Sequence, residues 1–341
     1  MEFEMDYIVM DLEWNQNPYG KNHVYADMPF EIIEIGAVRV SEEREILDSY
    51  QQVIRPRVYK KLHYKIQEIT HFTNEELSHG MNFKRAIVEF LDWCGDDYIF
   101  CTWGSMDLTE MQKNMKHYGL ERILDFPLYY VDLQKMFSLR YDDGHMKRTL
   151  TSAVEYLEIP ESKEFHRALS DAYYTAKVMQ TMDFEKYKER LSIDTFYSPR
   201  MKEEEVFVRF DEYTKLITRE FLQKDEMFED GDVRELRCNQ CDRPLKVIID
   251  WFSDSGKTYY CLGECPVHGF VRGKIKIKKR EEDSFFAVKI MKSTDEEGAK
   301  SIHEKQENIR EKRRERRQRS LDKEIVIDEI WEEIEEEDDD E

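Results

Sequence analysis

The run Tyr7-Ile-Val-Met-Asp-Leu-Glu-Trp14 sets the tightest constraint on how this chain can fold. Its leading apolar residues read as a buried strand, and the end of that strand offers Asp11 and Glu13. Residues i and i+2 of a strand project from the same face, so both carboxylates point the same way. Two like charges that close disfavour ionisation unless a cation or a proton sits between them. A buried strand ending in Asp-x-Glu is therefore a platform for a metal, provided further ligands follow. Taken singly, the same pattern is also an ordinary solvated strand end.

The chain has room for one good-sized domain and smaller pieces: 341 residues, 40% hydrophobic and 37% charged. Its net charge of −22 is unevenly placed, because the stretch from Leu321 to Glu341 holds 13 acidic residues and one lysine, a net of −12. The global charge therefore leaves a polyanionic substrate open. The acidic start Met-Glu-Phe-Glu-Met-Asp is unlike a signal peptide, and no apolar run approaches a membrane span. A cytoplasmic protein is expected. Six cysteines in that setting argue against a disulfide framework. Cys94 and Cys101 stand singly in apolar surroundings as core residues, and the other four cluster between 238 and 265, which favours a metal.

After the first strand comes a polar loop from Asn15 to Met28. Phe30 to Val40 and Asp48 to Arg55 then read as two more strands, together an antiparallel meander. Helices follow over Phe83 to Trp93 and Leu108 to Tyr118, around a short strand Tyr98 to Trp103. A further strand is expected at Leu128 to Val131, and helices at Thr149 to Leu157 and Leu169 to Met182. Strands first and strand–helix alternation afterwards predict an α/β fold, a mixed sheet flanked by helices. Asp107 follows a strand and opens a helix, and Asp171 lies near the start of another, where an α/β sheet gathers its active site. His166 belongs on the loop before that helix, free to approach a substrate. Singly, Asp107 reads as a cap, Asp171 as a charge favoured by a helix N-terminus, and His166 as a surface residue. Their joint order on these elements is what stands out.

Those residues resemble the DEDDh 3′–5′ exonucleases of the ribonuclease H-like fold. Asp11 and Glu13 match the first motif, Asp107 the second carboxylate, and His166 with Asp171 the His-x4-Asp third motif. Glu31-Ile-Ile-Glu-Ile-Gly-Ala-Val, Tyr50-Gln-Gln-Val-Ile-Arg-Pro56 and Ile66-Gln-Glu-Ile-Thr70 resemble the branch of histone-mRNA and small-RNA 3′-exoribonucleases and bacterial KapD-like proteins. The resemblance spans roughly residues 5 to 185. It implies a two-metal exonuclease that removes 5′-mononucleotides from single-stranded 3′ ends, RNA over DNA. Asp11, Glu13, Asp107 and Asp171 would hold two Mg²⁺ or Mn²⁺ ions, and His166 would take the proton of water. Backbone near Trp14 and Asn15 would meet the terminal nucleotide, with the Trp14 ring either stacked on a base or packed in the rim. A catalytically silent nucleic-acid adaptor and a polymerase proofreading partner are the alternatives.

Beyond residue 190 a charged linker with one helix is expected to 235, then a zinc ribbon over 236–290 and a charged helix with a disordered acidic tail over 291–341. Cys238-Asn-Gln-Cys241 and Cys261-Leu-Gly-Glu-Cys265-Pro-Val-His268 flank a hairpin, which resembles a zinc ribbon. Cys238, Cys241, Cys265 and His268 make two similar turns and form the favoured set for one structural Zn²⁺, with Cys261 the alternative ligand. Val271 to Arg280 alternates with lysines, either a rail for backbone phosphates or a solvated edge strand guarded by charge.

Overall fold

The computed structural model describes residues 5–19, 25, 27–121, 123–142, 144, 146–182, 191–280 and 283–339. Part of the expected loop from Asn15 to Met28, and the expected boundary at residue 190, lie outside them. The chain divides into two compact units, Met1–Tyr197 and Ser198–Glu341.

The first unit opens with the expected meander: β1 (Asp6–Gln16), β2 (Phe30–Val40) and β3 (Ile46–Val53). Three helices follow, α1 (Tyr64–Thr70), α2 (Asn74–Ser78) and α3 (Phe83–Cys94). Thr73 caps α2 in a capping box with Glu76, and Asn82 caps α3. Then come β4 (Tyr98–Thr102), α4 (Met106–His117), β5 (Tyr129–Asp132), α5 (Leu133–Tyr141), α6 (Leu150–Tyr156), α7 (Ala168–Thr181) and β6 (Ser192–Ile193). The sheet order is β3-β2-β1-β4-β5-β6; β4 runs parallel to β1, and β5 parallel to β4. The mixed sheet flanked by helices is therefore the one expected.

Alternation along β1 decides which helix meets which side. Ile8, Met10 and Leu12 pack with Phe83, Ile87 and Phe90 of α3 and Leu108 and Met111 of α4. Tyr7 and Val9 pack on the opposite face with Ala172, Ala176 and Met179 of α7 and residues of α5 and α6. Asp11 and Glu13 continue the second set, so the period of two that buries β1 also turns both carboxylates toward α7.

The second unit is a fully antiparallel sheet in the order β7-β8-β12-β11-β10-β9. Its elements are β7 (Val206–Arg209), β8 (Tyr213–Ile217), α8 (Lys224–Glu229), α9 (Gly231–Arg234), β9 (Lys246–Ser253), β10 (Thr258–Cys265), β11 (Gly269–Lys279), β12 (Phe285–Ser293) and α10 (Glu296–Asp339). This corrects the expected linker. The apolar residues of 206–217 alternate on strands, and β8 gains its partner from β12, some 70 residues on, which local periodicity does not reveal. Two short helices, not one, follow. The tail is corrected too: one helix continues through the stretch expected to be without structure. Spaced pairs such as Lys300–Glu304 and Glu307–Arg310 support its first half.

Gly36 of β2 faces the first turn of α7 so closely that a Cβ there would overlap the backbone of Ala168 and Leu169. A Gly36→Ala variant is therefore expected to lose about 1–3 kcal/mol or more of stability, as overpacked sites do. Urea denaturation checks this; an unchanged midpoint would mean that α7 is not seated on this glycine.

Candidate functional site

In the register of β1 and β2, Asp11 lies opposite Gly36 and Glu13 opposite Glu34. The missing side chain at Gly36 lets the start of α7 descend onto the sheet, and Asp171 comes with it. One carboxylate oxygen from each of Asp11, Glu13 and Asp171 then lies within 4.8 Å of the others. Asp107, in the first turn of α4, stands outside that triad. Its Oδ1 accepts a hydrogen bond from the Leu12 N–H at 3.2 Å, which fixes it beside β1 between the other two motif residues. Three of the four expected carboxylates are thus brought together, and the fourth is held at their edge.

Burial dominates the electrostatics. It pushes the Glu13 carboxyl up to about 8, with Asp171, Glu34 and Asp107 adding repulsion. Asp107 is raised to about 7, burial again outweighing the hydrogen bonds from backbone N–H groups. Asp171 is raised to about 6, and Asp11 is raised well above the usual range by burial and then by Asp107. Four carboxyls that resist ionisation in one place, with only oxygen donors, fit a hard divalent cation.

Glu34 is the carboxylate that has its own counterion. Arg167 donates to it through Nη2 at 2.8 Å and Nε at 3.2 Å, the Ala168 N–H at 2.9 Å, and Gln51 Nε2 at 2.8 Å. A like charge directly across from Glu13 would otherwise oppose the pairing of the strands. Glu34 also anchors the loop that carries His166. That residue adopts a left-handed backbone (φ 66°), and its N–H points at the Asp171 carboxylate, 3.2 Å from Oδ2. Its ring is exposed, on the expected loop. Earlier in the loop, the Tyr174 hydroxyl accepts from the N–H groups of Ser162 and Lys163 and donates to the Lys163 carbonyl.

The two expected substrate contacts fall differently. Trp14 is half-buried, tilted against Phe30 with ring centroids 5.8 Å apart, and packs on the α3/α4 side. Asn15 is fully buried; its Nδ2 donates to the carbonyls of Tyr59 and Lys61, and its Oδ1 accepts from the His63 N–H. The Asn15 side chain therefore braces the loop beside the site. Glu34, Gly36, Arg167 and Tyr174 had been given no role. Their one visible signal was Glu34 and Gly36 in the middle of a largely apolar strand.

The exonuclease family profile (RNase_T) matches residues 8–179, half of the chain. The chain belongs to the exonuclease family. The same half is 25% identical over 183 residues to the probable 3′-5′ exonuclease KapD of Bacillus subtilis, covering 52% of this chain and 85% of that one. It is also 25% identical over 183 residues to the PolC-type DNA polymerase III of Staphylococcus haemolyticus, of which it spans 12%. Among solved structures, the nuclease domain of 3'hExo, a DEDDh family member bound to rAMP, is 20% identical with a TM-score of 0.48, covering 57% of this chain and 98% of that one. The exonuclease family expected from the motifs is the family found. No described helix is long and apolar enough to cross a membrane.

In the exonuclease's second unit, ligand atoms of Cys238, Cys241, Cys265 and His268 lie within 4.8 Å of one another. His268 Nδ1 is 3.4 Å from the Cys238 sulfur and 3.6 Å from that of Cys265, and the sulfurs of Cys241 and Cys265 are 3.7 Å apart. A tetrahedral ion with metal–sulfur bonds of about 2.3 Å would space its sulfurs about 3.8 Å apart, so these separations fit such a centre. Cys261 lies outside the group. It is fully buried on β10, and a Cβ at Gly273 would overlap its sulfur.

The raised carboxyls carry a pH signature in protein freed of divalent cations. Glu13 keeps its proton in the native state up to about 8, whereas its ordinary value is 4.5. Between those values the native state binds more protons than the unfolded chain, so stability falls as pH rises and levels off above the window. The loss from pH 5 to 8 should exceed what one pKa unit is worth, about 1.4 kcal/mol. Added Mg²⁺, which favours the charged carboxylates, should flatten the profile. Urea denaturation across pH, with and without Mg²⁺, measures both; a cation-free profile that rises over this range would refute the electrostatics.

Proposed function

We propose that this exonuclease removes nucleotides from the 3′ end of single-stranded nucleic acid, RNA in preference to DNA, and releases 5′-mononucleotides. The observation that carries the reading is the close triad of Asp11, Glu13 and Asp171, with Asp107 fixed at its edge by the Leu12 N–H. Under this proposal those four residues hold two Mg²⁺ or Mn²⁺ ions. When bound, the ions supply charge neutralisation and Lewis acidity to the hydrolysis of a phosphodiester. His166 takes a proton from the attacking water, its backbone already held by Asp171 and by the Arg167–Glu34 pair. The 3′–5′ direction follows the description of the Bacillus subtilis relative, and the RNA preference rests on the resemblance of Glu31–Val38, Tyr50–Pro56 and Ile66–Thr70 to the RNA-trimming branch. The match to a PolC-type DNA polymerase III favours a second reading, in which the strand is DNA. None of the six cysteines is in a disulfide, which suits a cytoplasmic setting.

Digestion of matched end-labelled RNA and DNA oligonucleotides with Mg²⁺ or Mn²⁺ tests substrate and direction together. Glu13→Gln and Asp171→Asn should abolish turnover with the fold retained, and His166→Ala should slow it by roughly 10²–10⁴-fold, the usual worth of a positioned base. Loss of label from the 5′ end first, or full turnover by either carboxylate variant, would sink the assignment.

We also propose that Cys238, Cys241, Cys265 and His268 hold one structural zinc ion, leaving Cys261 as a core thiol. Metal analysis after dialysis should find about one zinc per chain, lost in Cys238→Ser and His268→Ala and kept in Cys261→Ser. Zinc retained without His268 and lost without Cys261 would reverse the ligand assignment.

A further inference from the structure

The alternating strand β11 resolves a choice that the sequence left open. Arg272, Lys274 and Lys276 share one face and are exposed, while Val271, Gly273, Ile275 and Ile277 are buried on the other. Lysines commonly guard the edges of sheets against unwanted pairing. β11 is not an edge: β12 pairs along one side of it and β10 along the other. A central strand needs no such guard, so the charge requires another explanation.

The neighbours of these side chains do not neutralise them. Across β12, Arg272 faces Lys292, Lys274 faces Ile290 and Lys276 faces Val288. Across β10 they face Leu262, Tyr260 and Thr258. Among the described residues none of the three makes an ion pair. Like charges directly across a sheet oppose folding, so a row of this kind is sustained by something negative that the sheet does not supply. The row also has an aromatic floor. Lys274 Nζ lies 5.7 Å from the Tyr260 ring centroid, and Lys305 of α10 approaches the same ring at 4.5 Å.

Helix α10 borders the row and extends its charge. Ala299 and Ile302 seat it on Ile249 and Leu262, beside Phe252, Tyr260 and Phe270, and Arg313 donates to the Ser253 carbonyl at 3.0 Å. From Arg310 to Arg319 the helix carries seven basic side chains, all exposed. The face thus joins three cations spaced about 6.7 Å apart along a strand to a helix rich in arginine.

We propose that this face of the second unit is a binding lane for the phosphate backbone of single-stranded nucleic acid, separate from the carboxylate centre. Cations at every second residue suit the repeating charge of an extended strand, and Tyr260 offers a ring for a base. The lane would hold a long substrate while its 3′ end is trimmed, so it rests on the exonuclease reading for its purpose but not for its binding chemistry. The competing occupant is the acidic stretch after Leu321 of this same chain.

The test combines Arg272→Gln, Lys274→Gln and Lys276→Gln in the full chain. Binding of a long single-stranded RNA is measured across a salt series in an Asp171→Asn background, so that the strand survives. Losing three phosphate contacts should lower the slope of log K against log salt by about 2, since each contributes about 0.7 for single strands. Affinity at low salt should fall, while an otherwise wild-type triple variant should cleave a trinucleotide at the parent's rate. The same fall is expected in the chain ended at Ser320. An unchanged slope overturns the proposal, and so does a fall seen only after truncation, which would make the acidic stretch the lane's occupant. Failure of the parent to cleave the trinucleotide would instead overturn the exonuclease reading, because that readout does not involve the lane. Retained zinc content shows that the triple variant has kept its fold.

Discussion

Keeping Asp11, Glu13, Asp171 and Asp107 crowded together opposes folding whenever they are ionised, and much of the first unit serves to hold them there. Repulsion in such a cluster is relieved in only two ways, by protons or by a cation. The raised carboxyls are the protonated solution, available while no metal is bound. A rigid frame is what keeps the alternative open, because a loose one would let the side chains swing apart into water. Two contacts supply that rigidity: α7 seated on Gly36, and Glu34 locked to Arg167 and the Ala168 N–H.

The frame treats its two kinds of acid differently. Glu31 is buried more deeply than Asp11 and Glu13, yet it accepts from the N–H groups of Arg57, Val58 and Tyr59 and from the Tyr118 hydroxyl. Glu34 is likewise saturated with donors. Carboxylates whose oxygens are taken up by several donors act as struts. Asp11 and Glu13, on the neighbouring strand, have like charges around them, so their oxygens remain available to a cation. The division between strut and ligand is therefore set by which donors the packing brings up.

That division explains what could be read from the sequence. The period of two along Tyr7 to Trp14 placed Asp11 and Glu13 on one face without any knowledge of the fold. Asp107 and Asp171 were legible because helix starts after a strand or loop are where such sheets gather function. The cysteine group was legible as spacing, and the structure brings together the favoured four ligands and leaves Cys261 in the core. The bracing role of the Asn15 side chain was not legible, because its partners, Tyr59, Lys61 and His63, lie more than forty residues away. The linker was misread for the same reason: β8 is a strand only because β12 arrives to pair with it. Local chemistry predicted sites well where the ligands lie on regular elements, and failed where a distant partner decides.

Strand β11 shows how topology changes the meaning of a pattern that composition alone leaves ambiguous. Its alternating lysines have one explanation at the edge of a sheet and another at its centre. At an edge, charge repels a second sheet and the unpaired backbone is the hazard. At the centre both backbone edges are already paired, so charge on the exposed face does nothing for pairing and, beside Lys292, works against it. A feature that opposes folding locally and is not needed for solubility, in a chain already at −22, points to a role in binding. The acidic end of the chain sharpens this argument, because net negative charge repels nucleic acid at long range. Cations gathered on one face are then what gives an anionic strand a place to settle.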